Sequence, residues 1–318
     1  MTIPEHIEQN KGGGRISVEL LPPVKGNSIH GVFETLDPIM EFAPPYINIT
    51  YHREELNYIR QADGTHLPAV VRKRPGTVGL AAAIQAKYRV DVVPHIICGG
   101  FTRTETEEAL IELDFLGIRN LLAVRGDPDK VSGRFVPNPK GHTHAADLVK
   151  QIMAMNQGVY HENHVENPVP TNFSVGVAGY PEKHPESPNQ GNDMDFLKMK
   201  VERGAQYIVT QMFFDNEVFF DFVRKCREAG IRVPIVPGLK PLAIKAHLSL
   251  LPKFFHLTIP QELSTAISRC ADDRAVKELG VEWTSHQIKS LFKSGFPIVH
   301  LYTMGKADNI VQIAKKTL

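Results

Sequence analysis

The 318-residue chain has only three cysteines, Cys98, Cys226 and Cys270, which are widely spaced and form no CxxC pair. This excludes a disulfide framework and a thiol metal or redox motif, and it favours a reducing compartment. An excess of charge is also missing. The net charge is +1, which gives no electrostatic case for binding nucleic acid or an anionic membrane. No apolar run is long enough to span a bilayer, and residues 1–15 lack the apolar segment of a signal peptide. A cytoplasmic protein is the expectation. GxGxxG, the P-loop and HExxH are absent too. His161-Glu162-Asn163-His164 lacks the zincin spacing and falls in a polar loop, so no metal site is expected.

What is present is a regular syntax. Short apolar runs bounded by turn residues read as strands near 16–20, 46–50, 91–97, 119–124, 173–178, 206–211, 232–236 and 297–301. Helical spacing fills 28–42, 75–87, 143–155, 193–203, 216–229 and 273–293. Another helix precedes Gly117, with Thr104 and Glu107 as its expected capping box. Gly117, Gly204, Gly230 and Gly295 are expected to end helices that turn straight into strands. Strict β-then-α alternation requires parallel pairing with right-handed crossovers. Eight such units predict an α/β protein of the (β/α)8 TIM barrel type, with an open doubly wound sheet as the alternative. Residues 1–14 are expected to be a flexible arm, and 15–318 a single barrel domain. Residues 52–74 read as polar and irregular, and rim insertions are placed near 128–142 and 156–171.

A barrel places its chemistry where strands exit at their carboxyl ends. Those exits carry Glu19, Thr50 and Tyr51, His95, Arg125 to Asp127, Tyr180 and His184, Gln211, and Tyr302 to Lys306. Glu19 stands between Val18 and Leu20 in an apolar strand. A carboxyl in such surroundings loses some of its preference for the ionised form, and so approaches the proton affinity of a general acid. The competing reading is a Glu at a solvated strand end, or one paired with a core Arg. His95 reads more readily as a hydrogen-bonded core residue than as a catalyst or ligand. Asp193 and Lys200 lie one and two turns along one helix, with Asp193 also suited to an N-cap. A metal-dependent lyase or hydrolase using Glu19, His95 and Asp127, and a non-catalytic flavoprotein or folate-binding module, are alternatives open at this point.

Taken together, the motifs have a family likeness. Val18-Glu19-Leu20-Leu21-Pro22-Pro23 resembles the Phe-Glu-Phe-Phe-Pro-Pro signature of the methylenetetrahydrofolate reductases. Ile49-Thr50-Tyr51, Pro94-His95-Ile96-Ile97-Cys98, Val124-Arg125-Gly126-Asp127, Ala178-Gly179-Tyr180-Pro181-Glu182-Lys183-His184-Pro185, Thr210-Gln211-Met212-Phe213-Phe214-Asp215, Pro237-Gly238 and His300-Leu301-Tyr302-Thr303 follow in that family's order. The likeness covers about residues 15–316 and is closest to the short, catalytic-domain-only bacterial form.

The resemblance implies a flavoprotein with non-covalent FAD. NADH or NADPH, as co-substrate, reduces it, and methylenetetrahydrofolate is then reduced to methyltetrahydrofolate for methionine synthesis. By motif, Glu19 is the implied general acid and Asp127 contacts both flavin and pterin. Gln211 and Lys306 bind the folate. Thr50, Tyr51, His95, Arg125, Gly126, His144, Ala145, Tyr180, His184, Asp193 and Lys200 fall at FAD-contact positions. The chain departs from the better-known bacterial pattern at His52 (Gly there), His144 (Tyr), Met199 (Arg) and Lys306 (Arg), and in the insertion 156–171. The implied partners are therefore small molecules, with exposed barrel helices available for self-association.

Overall fold

Nine parallel strands make the main sheet, in a computed structural model that describes residues 1–128, 133–162, 165–303 and 307–318. In chain order the strands are β1 (Arg15–Leu20), β2 (Tyr46–Ile49), β3 (Glu55–Arg60), β4 (His66–Val71), β5 (Asp91–Ile97), β6 (Asn120–Val124), β7 (Ser174–Gly179), β8 (Tyr207–Thr210), β9 (Ile235–Val236), β10 (Gly238–Leu239) and β11 (Ile298–Tyr302). The sheet runs β10-β11-β1-β2-β5-β6-β7-β8-β9. Its two ends, β9 and β10, flank Pro237 in one short segment. The seventh strand, expected over 232–236, starts later and consists of two short pieces, Ile235–Val236 and Gly238–Leu239, parted by a residue with no N–H to give the ladder. The Pro237 carbonyl accepts from His300 N at 2.8 Å, and Gly238 N donates to Thr210 Oγ1 at 2.9 Å. Those bonds join the sheet's ends. The architecture is a (β/α)8 barrel in a single domain.

The helices pack outside through apolar side chains such as Leu36, Ile84, Leu110, Ile152 and Phe219, all fully buried. A separate cluster fills the barrel itself: Tyr46, Val93, Leu122, Tyr207, Val209, Val236 and Ile298, with Ile3 and Ile7. Each such aliphatic side chain contributes about 1.5–3 kcal/mol on burial.

Four expectations change. Residues 1–14 are not a loose arm throughout, because Ile3–Gln9 is a helix. Ile3 is fully buried and plugs the amino-terminal end of the barrel, while His6 Nε2 lies 2.7 Å from Asp91 Oδ2. Within 52–74, β3 and β4 pair as an antiparallel hairpin outside the barrel. The capping box is Thr102 with Glu105, two residues before the expected pair. Finally, helices His247–Phe255 and Gln261–Arg269 precede the expected helix Asp273–Lys293 and enclose their own apolar cluster. Among the described residues, no helix is long and apolar enough to cross a membrane.

Candidate active site at the carboxyl ends of the strands

Strand register brings the first candidates together. Glu19 pairs in level with Tyr302 on one side and with Asn48 on the other. Its carboxyl keeps partial access to the barrel mouth but is packed about by protein, and that burial pushes its pKa up to about 8. The Lys240 ammonium pulls the other way, and Asp127 adds to the rise. Glu19 is therefore mostly protonated at neutral pH, with Asp127 close enough for its charge to act on it. Gln211 follows the last residue of β8, its Oε1 accepting from Met212 N at 2.9 Å.

Beneath this rim lies a polar layer. His95 is 8% exposed, with Nε2 3.4 Å from Asn48 Oδ1. His300 Nδ1 lies 3.0 Å from Ser17 Oγ. Burial drives both imidazoles down to about 3, so both are neutral. His95 also lines, with Tyr51, Gly76 and Phe101, a cavity of about 530 Å³. Tyr51 meets Phe101 edge-on with ring centroids 5.0 Å apart. Thr50 Oγ1 donates to the Leu20 carbonyl at 3.2 Å, tying the exit of β2 to that of β1.

A second group gathers beyond β6 and β7. Arg125 forms a forked ion pair with Glu186, both contacts at 2.6 Å, and its guanidinium lies 4.8 Å from the centre of the Phe135 ring. Its carboxylate partner is thus Glu186. Tyr180 and His184 meet at right angles with ring centres 4.7 Å apart. Asp193 is not the N-cap of its helix, which is Asn189. Instead it accepts from His184 N at 3.2 Å and from Ser187 Oγ at 3.0 Å. Lys200 donates to the Ala178 carbonyl at 2.6 Å, and burial lowers its pKa to about 8. Tyr180, Asp193 and Lys200 line a cavity of about 350 Å³ with Leu197, Met194 and Phe222.

Between the two groups runs Gly126, at φ +94°, a conformation that side chains with a Cβ seldom adopt. It carries the backbone from Arg125 to Asp127. His144 is exposed at the N-cap of the helix Ala145–Met155. Lys306, and His164 of the histidine group, lie outside the described residues.

Lys240 was not singled out by motif. It lies just beyond β10, between apolar Leu239 and Pro241, and is 6% exposed. The signal that marked Glu19, a charge inside an apolar stretch at a strand exit, was there for Lys240 as well.

The family model for methylenetetrahydrofolate reductase matches residues 3–317. "Methylenetetrahydrofolate reductase (NADH) 1" of Arabidopsis thaliana is 30% identical over 95% of this chain and 48% of its own length. This chain thus spans about half of that relative. "5,10-methylenetetrahydrofolate reductase" of Salmonella typhimurium is 27% identical over 96% of this chain and 90% of its own length. Among solved structures, an uncharacterized protein from Clostridium thermocellum that binds two copies of 5-methyl-5,6,7,8-tetrahydrofolic acid superposes with a TM-score of 0.55 at 15% identity. It covers 98% of this chain and 97% of its own, and supports the fold. With the family model spanning nearly all of its length, the chain belongs to the methylenetetrahydrofolate reductase family.

Proposed function

We propose that this protein is a flavin-dependent reductase that converts 5,10-methylenetetrahydrofolate to 5-methyltetrahydrofolate with NADH or NADPH as electron donor. The two substrates take turns at one site, and the product supplies methyl groups for methionine synthesis in the cytoplasm. The observation that carries this reading is Glu19, a carboxyl level with Tyr302 and Asn48 at the strand exits, whose pKa burial and the Asp127 charge push up to about 8. A general acid needs that combination of position and proton affinity.

The residues of the second group fit FAD bound without a covalent link. Arg125 and Lys200 are cations suited to a pyrophosphate. Lys200 spends one of its three N–H donors on Ala178, and no other described residue takes the remaining two. Tyr180 and His184 offer ring faces, and Gly126 lets the backbone approach closely. Thr50, Tyr51, His95, His144, Ala145, Asp127 and Asp193 complete the proposed contacts. FAD supplies hydride-transfer chemistry when bound.

The chain's own residues orient the folate and move its proton. Gln211 and Asp127 hold the pterin, with Lys306 as a further folate contact. Glu19 gives its proton to the nitrogen that departs when the five-membered ring opens.

A visible spectrum is the test. The purified protein, or the protein reconstituted with FAD, is expected to be yellow, to bleach with NADH or NADPH, and to recover colour with methylenetetrahydrofolate. A protein that cannot be loaded with FAD would overturn the proposal.

A further inference from the structure

Lys240 has a place in the barrel wall that the proposed proton transfer does not yet use. Gly238 is level with His300, and Leu239 with Leu301. On the other side of β11, Leu301 is level with Val18 and Tyr302 with Glu19. One residue past Leu239, Lys240 follows the row of Tyr302 and Glu19. Residues at one level of neighbouring parallel strands share a face of the sheet. Lysine is rarely this buried without a partner, yet the Lys240 ammonium makes no hydrogen bond or ion pair with any described residue.

Its charged neighbours are few. Glu19 acts on it from β1, and Lys240 helps hold His247, on the helix that follows, in its neutral form. Asp273 in turn acts on His247. Glu19 itself is influenced by Lys240 and Asp127, and it acts on Tyr302. Lys240 is therefore the one cation, among the described residues, acting on the proposed proton donor.

We infer that Lys240 is a positioning residue for proton donation: its buried ammonium stands beside Glu19 to stabilise the carboxylate formed when Glu19 protonates the folate. This rests on Glu19 being the donor. In the step, the Glu19 O–H bond breaks and its electron pair stays on the carboxyl oxygen. The proton forms an N–H bond on the departing ring nitrogen, which keeps the electron pair of the breaking C–N bond. Lys240 remains an ammonium throughout. An uncompensated carboxylate in this wall would be costly, and Lys240 makes the charge tolerable at the moment it appears. The electrostatics agree. Burial and Asp127 both hold the proton on Glu19, and Lys240 alone opposes them. Burial brings Lys240 down to about 8, with Glu19 drawing it back up.

The test compares Lys240→Met, Lys240→Gln and Lys240→Arg. The Glu19 carboxyl is titrated by its C=O infrared band, isolated by difference against Glu19→Gln in each background. This readout needs neither substrate nor turnover. Loss of the cation in K240M and K240Q is expected to move the Glu19 titration, and the alkaline limb of the folate half-reaction, upward by one pH unit or more. Folate reduction at neutral pH falls at least tenfold, while flavin bleaching by NADH changes less than twofold. K240R keeps both titrations close to the parent's. An unmoved Glu19 band in a folded, flavin-loaded K240M or K240Q overturns the role of Lys240 alone. A parent protein that takes no flavin instead overturns the reductase reading and, with it, the step that Lys240 serves.

Discussion

Tyr302 donates its phenolic hydrogen to the Thr210 carbonyl at 2.6 Å, joining the exit of β11 to that of β8 across the split segment. Gly238 lies in the gap. A Cβ there would sit 2.2 Å from the Thr210 carbonyl oxygen and 2.8 Å from the Tyr302 ring. Gly238→Ala must therefore break this bond or shift the seam, and overpacking of this kind costs about 1–3 kcal/mol. Tyr302→Phe loses only the hydrogen bond, about 1 kcal/mol. Urea unfolding is expected to rank parent, Y302F and G238A in that order of midpoint. A G238A midpoint equal to the parent's would mean that the seam is slack.

Glu19→Gln is expected to leave flavin reduction by NADH in place and to slow folate reduction by about 10²–10⁴-fold. The pH dependence has a definite sign. Glu19 donates only when protonated, so the parent's folate half-reaction stays level up to about pH 8 and declines above it. Stopped-flow traces of the two half-reactions measure both effects separately. If both halves fall together in E19Q, Glu19 is not the proton donor.

The fork between Arg125 and Glu186 competes with any anion that Arg125 is to bind. Glu186 is about half exposed, so the pair is screened and exchangeable. Arg125→Ala is expected to weaken FAD binding at least tenfold, and Glu186→Gln to strengthen it severalfold. Quenching of flavin fluorescence gives both affinities. Equal affinities in all three proteins would remove Arg125 from the cofactor site.

His95 and His300 bring an acid sensitivity. Both are held down to about 3 by burial, whereas an unfolded histidine titrates near 6.5. As pH falls below about 6.5 the unfolded chain gains protons that the folded barrel refuses. Stability present at neutral pH is then lost progressively toward pH 3, at about 1.4 kcal/mol per pH unit for each histidine. Urea unfolding at pH 5 and pH 6 measures the slope. His300→Gln is expected to reduce it by one histidine's share.

The barrel was legible because its strands are buried on both faces and its helices end at glycines. Gly117, Gly204, Gly230 and Gly295 all sit at positive φ, where the pattern put them. Glu19 was legible because a charge stood in an apolar run. The helix Ile3–Gln9 was not, since it is short and polar apart from Ile3 and Ile7, and the barrel floor, not its own spacing, gives those two a place. The hairpin of β3 and β4 was hidden for a related reason. Tyr58, Ile59, Leu67 and Val70 are all exposed, so no alternation of buried and solvated positions marks it. The Arg125–Glu186 and Lys240–Glu19 relationships span 61 and 221 residues of sequence, and only the closed ring brings them together.

The polar link between Ser17 and His300 also has a consequence in time, since 283 residues separate its ends. β1 is among the first elements made and finds one of its two neighbours, β11, among the last. At ribosomal speeds of about 5–20 residues per second, roughly fifteen to sixty seconds pass between them. For that interval an apolar strand has an unsatisfied edge, the kind of surface on which nascent chains aggregate. Ring closure is thus a late event, and a chain that stops before β11 leaves that edge open for good.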